Sequence, residues 1–198
     1  MPKLIDEEKK RSQFVDAAWR VIHREGLEAA TLRRVAAEAG YTTGALTRYF
    51  ENREALFSEA LRTAHFAASS RMAIVAQKST NPLKRLEAII LEALPLNQTR
   101  RREWKTRLAF FNAASDSEAL RRANAIYFEE WGQFLSKMLS PMIFDERTRK
   151  RDVFMLQALV DGLALRLIME SDGEDSSTVA RLIRREVRLY LRALQAQH

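Results

Sequence analysis

Residues Thr31 to Phe50 read TLRRVAAEAGYTTGALTRYF, the pattern of two short helices joined by a tight turn. A helix-turn-helix needs two short helices that meet steeply across a turn of about three or four residues. Each requirement has a residue here. Thr31 is placed to cap a first helix carrying Leu32, Val35, Ala36 and Ala39. Gly40 closes that helix, because glycine takes the left-handed conformation of a turn without a Cβ penalty. Ala36 and Ala37 are small where the two helices approach each other. Tyr41 and Leu46 supply apolar surface to hold the second helix, which Thr42 or Thr43 opens and which runs to about Tyr49. Its outer side is then Thr43, Gly44, Ala45, Thr47 and Arg48. These are small or polar enough to approach base edges, and Arg48 alone offers the bidentate geometry that guanine accepts. The free N–H groups of a capped N-terminus also suit a phosphate.

The flanks are helical too. Upstream, Phe14, Ala18, Val21 and Ile22 recur at helical spacing, and Gly26 ends that helix. Downstream, Asn52 is a good cap for a long helix of roughly residues 52–77, with Leu56, Phe57, Ala60, Leu61 and Ala64 inward. Asn81 and Pro82 open the next helix, and Pro95 stops it. Arg100, Arg101 and Arg102 precede a helix bearing Trp104, Leu108, Phe110 and Phe111. Asp116 caps another, which carries Leu120 to Met138 and ends at Pro141. Asp145 opens a helix of about 145–170, and Ser176 or Ser177 opens the last, about 177–195. The pattern predicts an all-α fold of about nine helices and no strand, with no internal repeat. A three-helix module, residues 1–51, is fused to a larger helical body, residues 52–198.

Composition narrows the function. A chain of 198 residues can bury a sizeable core. It has no Cys, which excludes a disulfide scaffold, a Cys-ligated zinc site and thiol catalysis. Six Gly and four Pro leave little punctuation for the turns of an all-β fold. No apolar run approaches the ~20 residues that span a bilayer, and Met1 to Arg11 lack an apolar signal core. A cytoplasmic protein with no membrane association is the expectation. The net charge of +7 invites a nucleic-acid reading, but its distribution does not carry one. Residues 1–55 hold 10 Lys and Arg against 9 Asp and Glu, whereas residues 56–198 hold 23 against 17. The DNA reading therefore rests on the motif, and the basic clusters at Arg100–Arg107 and Arg181–Arg192 read as solvated helix faces.

On these residues the chain resembles transcription regulators of the tetracycline-repressor (TetR) family. The resemblance is carried by Thr31, Val35-Ala36, Ala39-Gly40, Tyr41, Thr42, Gly44 and Tyr49-Phe50, and it continues through Glu51-Asn52-Arg53-Glu54-Ala55-Leu56. One position departs: many members carry Tyr where Thr47 stands, and that Tyr touches the DNA backbone. The LTRYF neighbourhood, and the WKTRLAFF and ALRRAN stretches further on, are closer to the betaine-pathway repressor (BetI-like) branch.

The resemblance implies a homodimer that binds a pseudo-palindromic double-stranded DNA operator, most simply as a repressor. Thr43, Thr47 and Arg48 would read bases, while Thr31, Arg33, Thr42, Gly44, Ala45, Tyr49 and Arg53 complete the DNA-binding set. Arg53 stands where members often place a phosphate-binding Lys. The last two helices would pair with their twofold mates through Leu156, Val160, Leu163, Leu167, Ile183, Val187 and Tyr190, with Gly162 permitting close approach. The resemblance also implies an effector cavity among the middle helices, for which Trp104, Phe110, Phe111, Tyr127, Trp131 and Asp161 are the candidates. An aromatic cage with a carboxylate suits a quaternary ammonium, and a flat apolar metabolite is equally open. Effector binding would lower operator affinity by favouring a wrongly spaced pair of DNA modules.

Two other classes compete. An enzyme would need a constellation that is missing: His23, His65 and His198 show no metal-ligand spacing, and no Gly-rich phosphate loop or nucleophile elbow appears. Neither a metal nor a cofactor is expected. A small-molecule-binding helical protein without DNA activity would explain the body and leave Thr31 to Phe50 unexplained.

Overall fold

Short-range caps punctuate the chain where its sequence places them. In the computed structural model, which describes residues 2–169 and 176–196, α1 (Pro2–Glu25) ends at Gly26, whose φ is +89°. α2 (Leu32–Ala39) is capped by Thr31, whose Oγ1 accepts from the Arg34 N–H at 3.2 Å. It closes on Gly40 at φ +78°: the Gly40 N–H reaches the Ala37 carbonyl at 3.1 Å and the Tyr41 N–H the Ala36 carbonyl at 2.9 Å. That pair of bonds is the Schellman arrangement, which satisfies two orphan carbonyls at the helix end. α3 (Thr43–Thr47) is a little over one turn long and ends two residues short of Tyr49. α4 (Arg53–Ala76) starts from Asn52, whose Oδ1 accepts from the Ala55 N–H at 2.8 Å.

The remaining helices are α5 (Pro82–Ala93), α6 (Gln98–Ala113), α7 (Glu118–Leu139), α8 (Glu146–Met169) and α9 (Ser176–Ala196). The described residues form an all-α fold of nine helices with no strand. Two starts differ from expectation. Asn97 caps α6 through the Arg100 N–H at 2.9 Å, so Arg100, Arg101 and Arg102 lie within that helix rather than ahead of it. Ser117, not Asp116, caps α7, because its buried hydroxyl faces the Leu120 N–H at 3.4 Å. Asp145 caps α8 as read, accepting from the Thr148 N–H at 2.7 Å. The side chains of Ser176 and Ser177, read as caps of the last helix, lie outside the described residues.

The helices pack as two units. The first contains the chain up to Phe66 together with Lys105–Tyr127; the second contains Ala67–Trp104 and the described residues from Phe128 onward. The sequence boundary after residue 51 thus falls inside the first unit. The reason is the core: Phe14, Val21, Val35, Leu46 and Phe50 are joined by Leu56, Phe57 and Leu61 of α4, Phe110 of α6 and Leu120 of α7, all buried. Burying each such side chain contributes roughly 1.5–3 kcal/mol, so these helices are not separable from the three-helix module. The second unit has its own core, with Leu86, Ile89, Ile90, Leu135, Leu139, Leu156 and Val160 almost fully buried.

Candidate nucleic-acid interface

α3 is held from below and open from above. Leu46 is its one fully buried residue, whereas Thr43, Gly44, Thr47 and Arg48 are exposed and Ala45 is half-buried. So short a helix has little intrinsic stability and depends on its caps and its anchor. Thr42 supplies the N-cap, its Oγ1 accepting from the Ala45 N–H at 3.2 Å. The Thr47 hydroxyl donates to the Gly44 carbonyl at 3.2 Å. A Cβ added at Gly44 would meet nothing within 4 Å, and its backbone needs no glycine. The fold leaves that surface bare without requiring it, which is the property of a face that a ligand's backbone or base edge approaches.

The neighbouring arginines divide into two kinds. Arg34 Nη2 pairs with Glu25 at 2.6 Å and Glu38 at 3.1 Å, while Arg24 Nη2 pairs with Glu38 at 2.7 Å and Arg20 Nε with the same carboxylate at 3.1 Å. Hydrogen bonds from Arg24 and Arg20 hold the Glu38 carboxyl down to about 2, and those from Arg34 and Arg24 lower that of Glu25. This network of three arginines and two glutamates binds the end of α1 to α2, and each of its arginines has a carboxylate partner. Arg33 and Arg48 are exposed and have no partner among the described residues. They are the cations of the motif left for an outside anion.

Arg53 is different again. Its guanidinium donates to the Leu27 carbonyl and, at 3.3 Å, to the Ala30 carbonyl, and it lies 4.7 Å from the centre of the Phe57 ring. These bonds satisfy carbonyls of the turn between α1 and α2. The side chain read as a phosphate ligand is engaged within the fold. Tyr49 is half-buried with its ring 5.6 Å from that of Phe14, and its carbonyl accepts from Arg11 Nη1 at 2.9 Å. Tyr41 packs on Phe14 of α1, 5.1 Å between ring centres, and its hydroxyl donates to Gln13 Oε1 at 3.1 Å. Arg11, with its guanidinium 4.4 Å from the Phe50 ring centre, is a positioning residue that no local pattern marked, because its partners lie about 38 residues away.

The aromatic candidates of the body fall in both units. Phe110 is fully buried, 5.8 Å from Phe57 and 6.0 Å from Trp19, so it serves the core of the first unit. Tyr127 in the same unit stacks on buried His65 at 3.7 Å, and the Arg107 guanidinium lies 4.3 Å from its ring centre and donates to its hydroxyl. A cation is already in place on that ring. Phe111 is half-buried. In the second unit, Trp104 is buried and donates to the Ala93 carbonyl at 2.8 Å, Trp131 stacks on Phe134 at 5.8 Å, and Asp161 is half-buried. No cluster of three or more His, Asp or Glu able to hold a metal occurs among the described residues. None of the described helices is long and apolar enough to cross a membrane.

α8 and α9 also divide by face. Leu156, Val160, Leu167 and Val187 are buried in the core of their own unit, and Leu163, Ile183 and Tyr190 are half-buried. Among the described residues, the large apolar side chains that remain exposed are Phe154, Met155, Leu165 and Met169 on α8 and Leu182 and Leu189 on α9. The sequence showed broad apolar faces on both helices without showing which half of each the chain keeps for itself.

With this geometry, comparison with known proteins assigns the class. Residues 14–60 match the model of bacterial regulatory proteins of the tetR family, and residues 82–192 match that of the BetI-type transcriptional repressor C-terminal region. The chain belongs to the TetR family of transcription regulators, with a helix-turn-helix DNA-binding N-terminal region and a C-terminal region of the BetI type. It is a regulator and not an enzyme. It is 32% identical over 197 residues to the HTH-type transcriptional regulator PksA of Bacillus subtilis, covering 94% of this chain and 92% of that one. Among solved structures it is similar to a transcriptional regulator from Rhodococcus sp. Rha1, with a TM-score of 0.80 and 26% identity, covering 92% of this chain and 96% of that one. A Saccharomonospora viridis chain crystallised in complex with choline shares the fold, with a TM-score of 0.74 and 20% identity over 94% and 95% of the two chains.

Proposed function

We propose that the chain acts as a homodimeric repressor that reads a pseudo-palindromic operator through α3 and is released by a small-molecule effector. The observation that carries this reading is the exposed surface of α3: Thr43, Gly44, Thr47 and Arg48 project outward from a helix pinned by Leu46. Base edges are read by Thr43, Thr47 and Arg48, while Thr31, Thr42 and Arg33 position the module on phosphates. Ala45 and Tyr49 support the reading helix, and Arg53 acts by holding the turn before α2.

One such module covers too little DNA for a selective site, so two must act together. The exposed stripe of Met155, Leu165 and Met169 on α8 supports pairing of two copies there, joined by Leu182 and Leu189 of α9. A Cβ added at Gly162 on the same side of α8 meets nothing within 4 Å, which leaves room for a partner helix. Leu163, Ile183 and Tyr190 border this face, whereas Leu156, Val160, Leu167 and Val187 support it from within.

The effector is a small molecule, with a quaternary ammonium and an apolar metabolite as the classes to screen. Arg107 over Tyr127 argues against a cation at that ring and turns the search to Trp104, Trp131 and Asp161. Release follows if the effector prefers a body conformation that spaces the two DNA modules wrongly.

The experiment is recovery and sequencing of the genomic DNA that the protein retains, followed by operator titrations. Arg48→Ala is expected to relax selectivity at one base pair per half-site; an equal loss on every operator variant would make Arg48 a phosphate ligand instead. Leu165→Glu is expected to give a monomer by sedimentation and to abolish tight operator binding. A metabolite that quenches Trp104 or Trp131 fluorescence yet leaves operator affinity unchanged would remove its release from this scheme.

A further inference from the structure

Within the second unit, α5 and α9 pack together and leave a groove of about 680 Å³. Its walls carry five cations: Lys84 of α5, Arg100 of α6, and Arg184, Arg188 and Arg192 of α9. Only two carboxylates, Glu87 and Glu92, face them. Both are already engaged, since Arg188 Nε donates to Glu87 at 2.6 Å and Arg100 Nη1 to Glu92 at 3.0 Å. Lys84, Arg184 and Arg192 are exposed and have no partner among the described residues. Arg100 Nε is buried without an acceptor. Behind the cations, Leu91 and Leu191 give the groove an apolar, buried floor.

Three unpaired positive charges in one cleft repel each other, and low-dielectric walls focus their field. A sequence reading takes Arg181–Arg192 as a solvated face. The fold instead aligns Arg184, Arg188 and Arg192, each four residues apart, along one wall opposite Lys84. Leu182 and Leu189 lie on another side of α9, with Leu189 turned about 100° from Arg188, so the exposed apolar stripe and this groove do not compete.

We propose that this groove binds a small organic polyanion carrying two or three negative charges, a phosphorylated or polycarboxylate metabolite whose apolar part rests on Leu91 and Leu191. The volume lies within the range of about 300–1,000 Å³ usual for small-molecule sites. The charge requirement is the number of cations left over once Glu87 and Glu92 are paired. Arginine suits both oxyanions because its planar fork bonds carboxylate and phosphoryl oxygens in pairs. The site is opposite in sign to one for a quaternary ammonium, and none of the aromatic candidates lines it. It stands whether or not the chain is a repressor.

The test is calorimetric titration of the full-length protein at fixed ionic strength with inorganic pyrophosphate and with citrate as probes. Saturable binding of at least one probe at one site per chain is expected, and the tighter of the two identifies a phosphoryl or a carboxylate ligand. R184A/R192A is expected to weaken binding by tenfold or more, on the order expected for two charge-assisted hydrogen bonds. R147A/K150A removes the same charge from exposed cations of α8 and is expected to leave the affinity unchanged. Lys84→Met, on the opposite wall, gives a second and independent loss should the double variant not fold. No saturable binding of either probe at millimolar concentration overturns the proposal. So does full affinity in both R184A/R192A and Lys84→Met, which is how capture by the DNA-reading face would appear. Equal weakening in R184A/R192A and R147A/K150A overturns it as well, since that is the response of a diffuse charge.

Discussion

The Phe110 ring of α6 meets the Phe57 ring of α4 edge-on, 5.8 Å apart and at 88°. Trp19 of α1 meets the same Phe110 ring at 6.0 Å and donates from Nε1 to the Ala60 carbonyl of α4 at 3.1 Å. Phe110, 60 positions beyond the end of the motif at Phe50, thus completes the core on which the motif stands. Phe110→Ala is expected to cost about 3–5 kcal/mol of stability, through lost transfer energy and the cavity left behind. Urea denaturation checks it, with the midpoint falling while the slope is kept. A loss below 1 kcal/mol would return Phe110 to the effector candidates.

Gly40 and Gly44 have opposite requirements although both stand in open space. Gly40 sits at φ +78°, where a side chain is strained, so Gly40→Ala is expected to destabilise the protein by about 1 kcal/mol or more. Gly44 has no such φ, and Gly44→Ala is expected to leave stability unchanged or raise it by up to about 1 kcal/mol. Its cost should appear in operator affinity alone. Thermal melts paired with operator titrations separate the two.

Of two arginines read as DNA-binding, Arg33 faces outward and Arg53 is engaged within the fold. Arg33 is exposed and has no partner among the described residues, so Arg33→Ala is expected to leave the melt unchanged. The salt dependence of operator binding should become shallower by about 1.8 in log–log slope, for the two phosphates that the Arg33 side chains of a dimer neutralise. Arg53→Ala removes the donors to the Leu27 and Ala30 carbonyls and is expected to cost about 1–3 kcal/mol of stability. Its salt slope should stay as in the parent protein. An unchanged melt with a shallower slope would make Arg53 a phosphate ligand.

His65 ties stability to pH. The ring is buried against Tyr127, and burial first, with the Arg107 charge second, pushes its pKa down to about 3. The unfolded chain takes up this proton near pH 6.5, and the folded chain does not until about pH 3. Stability on this account is full above pH 6.5 and falls with acidification across that window, by up to about 1.4 kcal/mol per pH unit. His65→Leu is expected to flatten this part of the acid limb in denaturation curves taken between about pH 7 and pH 4. An unaltered limb would assign the slope to carboxylates.

The local elements can be read directly from the residues. Thr31, Thr42, Asn52, Asn81 and Asp145 cap helices, and Gly26 and Gly40 take the left-handed turns. These are legible because a cap bonds a backbone group only three residues away, so its signature lies beside it in the chain. The motif from Thr31 to Phe50 carried the family in the same way. Packing selected which of the apolar faces of α8 is buried, leaving Leu156 and Val160 inside and Met155 and Leu165 out. It also set Arg53 on carbonyls of the preceding turn, Phe110 in the core of the DNA-reading unit, and three arginines of α9 across from Lys84. Each of these depends on residues distant in the chain meeting in space. Periodicity shows that a face exists, and only packing says what it meets.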